Sequence, residues 1–396
     1  MKRIAFLLLF LLAARSSRAD GVLAREGKGY LERRGGLLVL HVKGSPYEMG
    51  YQHGKLLRSH VRALMRVLLD EFGGQTFKLS SSGPEVRVRE FLRVLFQAQR
   101  PFYRKRFIQE MKGLADGAGI PSERVFVANH LPELFHCSGF ALIGRATVGG
   151  EVLHGRVLDY MTDAHLQDHA VLIVAEPEGF NAFVNVGFAG FIGSVTGMND
   201  HLVAIGEMGG GGQLFWAGEP MAFLVRRVLE QADSVEKAVS IFRSSPRTCE
   251  YYYVISDGLR KKAVGLATTW QDIFIVKPGS YHPLLPEPVP DCVILSADER
   301  YRELVKRIRK SYGSFTPKLA IRLMDAPVAM KHNLHNALMV PRTGDLWAAY
   351  AAPDGSPAWK QTYVHVNLFE LLGRKPLPAG TETSTCTRAS TTGPAE

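Results

Sequence analysis

HCSGFALIGRATVGGEVLHGRVLDY, residues 136–160, decides how this chain is read. Two short apolar runs, Phe140 to Ala146 and Val152 to Leu158, flank the turn Val148-Gly149-Gly150-Glu151, and that pattern predicts a β-hairpin. Cys137 stands nine residues before Ala146 and Asp159 thirteen after it, so both fall at one end of the ladder, with Arg156 close by. A thiol, a guanidinium and a carboxylate meeting there would suit nucleophilic chemistry. Each residue also has a plainer part. A cysteine at a strand start is more often a small buried hydrophobe, and Asp159 is as ready to form a structural ion pair with Arg156.

Working outward, Ser45-Pro46-Tyr47-Glu48 has a helix N-cap, a proline at the first helical position and the acidic partner of a capping box. Leu57, Val61, Leu64, Met65, Leu68 and Phe72 follow at helical spacing. A second helical pattern runs from Val86 to Ala115, is interrupted at Pro101, and closes at Gly117 and Gly119, which suit left-handed C-terminal caps. Residues 20–136 therefore read as mainly helical, apart from a strand at Leu37 to Val42. Past Cys137, strands recur at Ala170 to Ala175, Ala182 to Val186, Leu202 to Gly206, Tyr251 to Ser256, Ala263 to Ala267 and Asp272 to Val276, then at Asn336 to Val340, Leu346 to Ala351 and Thr362 to Val366. Helices at Met221 to Ala232, Val235 to Phe242, Glu299 to Lys310 and Thr316 to Leu323 divide them. This alternation predicts an α+β architecture with helices layered on antiparallel sheets over residues 137–375. Residues 376–396, rich in Thr, Ser, Gly and Pro, read as a disordered tail.

Residues 1–19 read as a signal peptide: Lys2 and Arg3 begin it, Ile4 to Ala14 is its apolar run, and small side chains before Ala19 offer a cleavage site. That run is short for a membrane span, which needs about 20 residues. The expectation is an exported protein, cut after Ala19, with no membrane span. Four of the formal charges of +10 sit on Lys2, Arg3, Arg15 and Arg18, so their removal leaves +6 (10 minus 4). The remaining basic residues alternate with acidic ones, as in Glu299 to Lys310, so a nucleic-acid partner is not expected. The four cysteines, Cys137, Cys249, Cys292 and Cys386, include no CxxC pair and suggest no disulfide framework, which leaves a free thiol to be explained. His53 and His60 lie two helical turns apart, too far for one tetrahedral metal site, and neither they nor His136, His335 and Glu207 fit a metal-binding spacing. Gly209 to Gly212 lacks the Lys-Ser/Thr pair of a phosphate loop. No metal and no cofactor are expected.

Taken in order, SPYEMGYQHGKLL, EMKGLADGAGI, CSGFALIGRAT with HGRVLDY, GMNDHLVAIGEM, YYYVISDG and NLHNALMVPRTGDLWAAY resemble the acyl-coenzyme A:6-aminopenicillanic acid acyltransferase group, peptidase family C45. The resemblance implies an αββα N-terminal-nucleophile sandwich with a helical pro-region, and a hydrolase or acyltransferase taking a small N-acyl amide or acyl donor. It implies that the chain is cut before Cys137, which becomes the nucleophile with its own α-amino group as base. Asp159 would hold that ammonium, Arg156 would lower the pKa of the thiol, and Asn199 would donate to the oxyanion. Asn199, between Met198 and Asp200, also reads simply as a turn former. Tyr160, Glu207, Tyr252, His335 and Asn336 are expected around the site as substrate-binding or supporting residues. A hydroxyl of Tyr251, Tyr252 or Tyr253 is a candidate for a second oxyanion donor, because no Asn precedes Ile255-Ser256-Asp257, and the sequence does not say which. His136 stands where the family often has Gly. Two rival readings remain: an exported binding protein on an inactive acylase scaffold, and an uncut cysteine hydrolase with His136 or His335 as base.

Overall fold

A computed structural model describes residues 20–78, 83–130, 136–160, 162–210 and 215–377. The expected signal peptide and the part of the expected tail beyond residue 377 lie outside them.

Helix α1 (Pro46–Leu56) begins with the capping box read from sequence: the Ser45 hydroxyl accepts from the Glu48 N–H at 3.4 Å, and the Glu48 carboxylate accepts from the Ser45 N–H at 2.8 Å. Helices α2 (Arg58–Arg66), α3 (Val88–Gln99), α4 (Lys105–Ala118) and α5 (Ser122–Ala128) follow, with the chain broken after α3 at Pro101. Gly119 ends α4 at φ 66°, the left-handed cap expected of it. Gly117 has a different part. With Gly113 on α4 and Gly50 and Gly54 on α1, it lets the two helices touch backbone to backbone. A Cβ at Gly50 would stand 1.9 Å from the Glu110 carbonyl oxygen, and one at Gly113 would stand 2.1 Å from that of Tyr47.

The expectation of a mainly helical segment over 20–136 misses most of its β-structure. Strands β1 (Gly21–Glu26), β2 (Gly29–Arg34) and β3 (Leu37–Gly44) form the start of the larger sheet, and a hairpin of β4 (Thr76–Lys78) and β5 (Glu85–Arg87) stands apart. Strand β1 is almost wholly exposed and β2 carries three charged side chains, so neither shows the apolar alternation that marks a strand in sequence.

From residue 136 the strands are β6 (His136–Leu142), β7 (Leu153–Asp159), β8 (Ala170–Pro177), β9 (Phe183–Phe188), β10 (Thr196–Asn199), β11 (Val203–Gly209), β12 (Tyr251–Asp257), β13 (Lys262–Thr268), β14 (Ile273–Val276), β15 (Cys292–Leu295), β16 (Asn333–Val340), β17 (Asp345–Tyr350) and β18 (Val364–Asn367). Ten strands make one sheet in the order β1-β2-β3-β8-β9-β10-β11-β12-β13-β14, and six make the other, β15-β6-β7-β16-β17-β18. Pairing is antiparallel except where β3 runs parallel to β8, from Val39 beside Leu172 to Gly44 beside Pro177.

Strands β6 and β7 of the smaller sheet face β11 and β12 of the larger, and a side chain at Gly139 would run into Met208 and Val254. Helix α1 covers β2, β3 and β8 on the outside of the larger sheet, where α6 (Met221–Gln231) and α7 (Val235–Arg243) cover β10 to β13. Helices α8 (Asp298–Lys310) and α9 (Pro317–Ile321) cover β15, β7 and β16 on the other side, and α10 (Leu368–Leu371) packs on β18. The protein is thus an α+β sandwich of four layers in the order αββα, with its core between the sheets.

Candidate active site

The hairpin read from residues 136–160 sets Cys137 opposite Leu158, Gly139 opposite Arg156 and Ala141 opposite His154, while His136 lies opposite Asp159. Its two strands are joined by a wider connection than a tight turn, with Gly149 and Gly150 both at positive φ. Directly opposed residues share a face, so Cys137, Arg156 and His154 point between the sheets. Asp159 is one step out of phase with Leu158 and faces outward. Cys137, Arg156 and Asp159 do gather at one end of the ladder, but on two faces of it, and Arg156 and Asp159 do not pair with each other.

Each has its own partner. The Arg156 guanidinium, fully buried, donates from Nη2 to Glu207 Oε2 on β11 at 3.4 Å. Two neighbours cross the same interior: His154 Nδ1 lies 2.8 Å from the Ser256 hydroxyl, and His335 Nε2 lies 3.1 Å from that of Thr196. Burial, aided by the Arg156 charge, holds His154 down to about 3 and His335 well below the usual imidazole range, so both are neutral. Asp159 accepts from the Met330 N–H at Oδ1, 2.9 Å, and from Arg300 Nη1 at Oδ2, 2.7 Å. Burial pushes its carboxyl up, and Met330, Arg300, Arg156 and Asn333 pull the other way.

Cys137 is 5% exposed and lines a cleft of about 370 Å³. Met208, Leu284 and Leu295 give the cleft an apolar wall, and Tyr252, Ser296 and Arg300 a polar one. Burial pushes the Cys137 thiol up to about 12, against the pull of the Arg156 charge and of the Asp159 backbone N–H. The sulfur is therefore a thiol at neutral pH, with the Arg156 charge acting in favour of its anion.

Asn199 requires a correction. It is wholly buried at the end of β10, donates to the carbonyls of Leu229 and Ala232 at 2.8 and 2.7 Å, and accepts from the N–H groups of His201 and Val203. With all its hydrogen-bonding capacity spent on tying its turn to the end of α6, it is the turn former and not an oxyanion donor. Tyr252 lines the cleft as expected, but its one hydroxyl proton goes to Glu250, so it is no ready donor either. Glu207 supports the site through Arg156. Tyr160, His335 and Asn336 do not line the cleft: Tyr160 is buried just past Asp159, His335 is stacked on Phe188, and Asn336 donates to the Tyr363 hydroxyl at 2.8 Å.

Two residues of the site went unread in the sequence. Arg300 sits in a stretch whose alternating charges look like a solvated helix face, and only the fold turns its first turn toward the cleft. Asn333 lies opposite Asp159 in the β16 ladder and bonds the Leu158 carbonyl at 3.0 Å, with a bulge next to it that no periodicity shows. Among the described residues no group of three or more His, Cys, Asp or Glu side chains could hold a metal ion, and no helix is long and apolar enough to cross a membrane.

Residues 147–282, which begin in the hairpin connection and take in Arg156, Asp159, Glu207 and Tyr252, match the family acyl-coenzyme A:6-aminopenicillanic acid acyl-transferase. That segment, about a third of the chain, is similar to this family. Protein dcd1B of Dictyostelium discoideum is 25% identical over 91% of this chain and 79% of its own length. The N-acylethanolamine-hydrolyzing acid amidase of Oryctolagus cuniculus is 30% identical over 27% of this chain and 32% of its own. The chain spans about half the length, 52% and 54%, of two further relatives. Among solved structures, the Caenorhabditis elegans ortholog of N-acylethanolamine-hydrolyzing acid amidase aligns at 17% identity with a TM-score of 0.42, over 58% of this chain and 100% of that one.

Proposed function

We propose that the chain is an exported cysteine amidohydrolase or acyltransferase of the N-terminal-nucleophile type, acting on small N-acyl amides through a thioester on Cys137 once the bond before it is cut. The observation that carries this reading is that Cys137 lines a cleft while the Arg156 charge favours its anion. The family match over 147–282 and the amidase relative support amide chemistry. Export rests on the basic start and apolar run of residues 1–19.

With burial pushing its pKa up, the Cys137 thiol needs a base beside it to react. Hydrolysis of the His136–Cys137 amide, in which water completes the His136 carboxylate, frees an α-amine whose ordinary pKa, about 7.7–8.0, suits it to take the thiol proton. The thiolate then attacks the acyl carbonyl, the substrate C–N bond breaks, and the amine leaves with that proton. Water or a second amine attacks the thioester and returns the sulfur. Of the two rival bases, His335 lies outside the cleft, beside the Thr196 hydroxyl.

Electrophoresis and N-terminal sequencing of the purified protein should give a fragment beginning at Cys137, and acid quenching during turnover should trap an acyl adduct on it. Cys137→Ala should stay intact and inactive. Amide hydrolysis undiminished in that variant would overturn the proposal.

A further inference from the structure

The charges around the cleft do not balance. Arg156 is matched by Glu207, and the Arg300 charge is cancelled by the Asp159 carboxylate at 2.7 Å, so both cations are spent. Two carboxylates remain. Asp298 lines the cleft where the chain leaves β15 for α8; it is exposed, takes a left-handed φ of 52°, and has no ion pair or hydrogen bond among the described residues. Glu250 stands behind the cleft-lining Tyr252, whose hydroxyl proton it accepts, and has no basic partner among the described residues. Its side chain also packs on Gly210 of the cleft wall, where a Cβ would stand 2.7 Å from the Glu250 Cγ. Met208, Leu284, Leu285 and Leu295 make much of the remaining wall apolar.

We propose that the cleft takes amides that carry a free ammonium group beside an apolar chain, with Asp298 and Glu250 as the residues that select the charge. The amide rests on the function proposed above; the preference for a cation does not. Because the Tyr252 hydroxyl gives its one proton to Glu250, its oxygen meets a ligand only as an acceptor, and the Asp298 carboxylate is an acceptor too. An ammonium group brings three donors and the opposite charge to such a wall, while a neutral amide gains only the apolar contacts. A carboxylate-bearing amide meets two like charges, so the same two residues that attract the cation turn the anion away.

The test is titration calorimetry at neutral pH on the full chain carrying Cys137→Ala. Octanoyl amides of putrescine, butylamine and γ-aminobutyrate serve as probes that differ in their terminal charge, and ω-aminooctanoyl butylamide moves the ammonium to the acyl end. The better of the two ammonium amides should bind about tenfold tighter than the neutral one, and the carboxylate amide weakest of all. Asp298→Asn and Glu250→Gln should each cut that advantage by about threefold, and raising salt from about 0.01 M to about 1 M should shrink it in the unmutated cleft. If Glu250→Gln does not melt cooperatively, the exposed Asp298 and the salt series decide. Ammonium amides that bind no tighter than the neutral one, or an advantage that neither Asp298→Asn nor salt moves, overturn the inference. In the cut enzyme kcat/KM should follow the same order. Turnover of none of the amides, with the binding order intact, would sink the function proposed above and leave the charge preference standing.

Discussion

Arg226 of α6 donates both ends of its guanidinium to Glu110 of α4, Nη1 to Oε1 at 2.8 Å and Nη2 to Oε2 at 2.7 Å, inside the protein. The same guanidinium reaches Glu230 at 3.1 Å and the Ile192 carbonyl at 2.6 Å, and Arg106 of α4 closes the cluster on Glu230. Glu110 and Arg106 precede position 136 and Arg226 follows it, so the cluster spans the proposed cut. Removing one partner strands a buried charge, at a cost of about 3–5 kcal/mol. Glu110→Met should lower the melting temperature of the intact chain, and in cut protein should let the two fragments separate on size exclusion at denaturant concentrations that leave the wild type whole. Fragments that stay together equally well in both would deny the cluster this part.

The four glycines between α1 and α4 predict an intolerance out of proportion to the change made. Gly54→Ala puts a methyl 2.1 Å from the Leu114 carbonyl oxygen, and neither helix backbone can yield without moving its partners. The loss should reach about 1–3 kcal/mol or more by denaturant unfolding. Alanine at Gly74, where nothing lies within 4 Å, should be nearly silent. Equal effects at the two positions would contradict the close approach.

Asn199→Ala separates two roles sharply. As the tie between its turn and the end of α6, its loss should cost about 1–3 kcal/mol of stability and leave kcat per folded molecule near that of the wild type. An oxyanion donor would instead cost about 10²–10³ in kcat. A rate loss of that size in folded protein would restore the role that the sequence suggested.

Acid should weaken the fold through buried histidines. His53 of α1 accepts the Gly190 N–H at 2.9 Å, and burial, with the Arg226 charge adding to it, holds the imidazole down to about 3. His130, between Tyr103 and the Phe126 carbonyl, is held at about 4. Both are neutral in the folded protein, whereas the unfolded chain takes up protons below 6.5. Their contribution is complete above pH 6.5 and is lost as pH falls toward the folded values, at about 1.4 kcal/mol per pH unit for each. His53→Gln should melt lower than wild type at pH 7 but lose less between pH 6.5 and 4.5. Parallel curves would remove His53 from the account.

The hairpin of residues 136–160, the capping box at Ser45 and the layered α+β class were legible because each depends on a local pattern: alternation, a cap, a run of strands between helices. Strand β1 was not, since an exposed edge strand needs no apolar face, nor was β15, a four-residue strand preceded by a proline-rich stretch. Within the site, Cys137, Arg156 and Asp159 were readable as neighbours. Their division between two faces follows from the single step between Leu158 and Asp159, and their true partners, Glu207 and Arg300, come from elements far away in sequence. Asn199 misled because a buried turn former and an oxyanion donor use the same amide, and only the position of the Leu229 and Ala232 carbonyls tells them apart.

Strand β3 lies beside β8 in the middle of the larger sheet, so severing the chain at residue 136 would leave one hydrogen-bonded ladder woven from two molecules. Such a protein would assemble only once. Denatured after the cut, it would have to rebuild that ladder by a bimolecular encounter, at a rate set by dilution, with the order of folding first and cutting second no longer available to it.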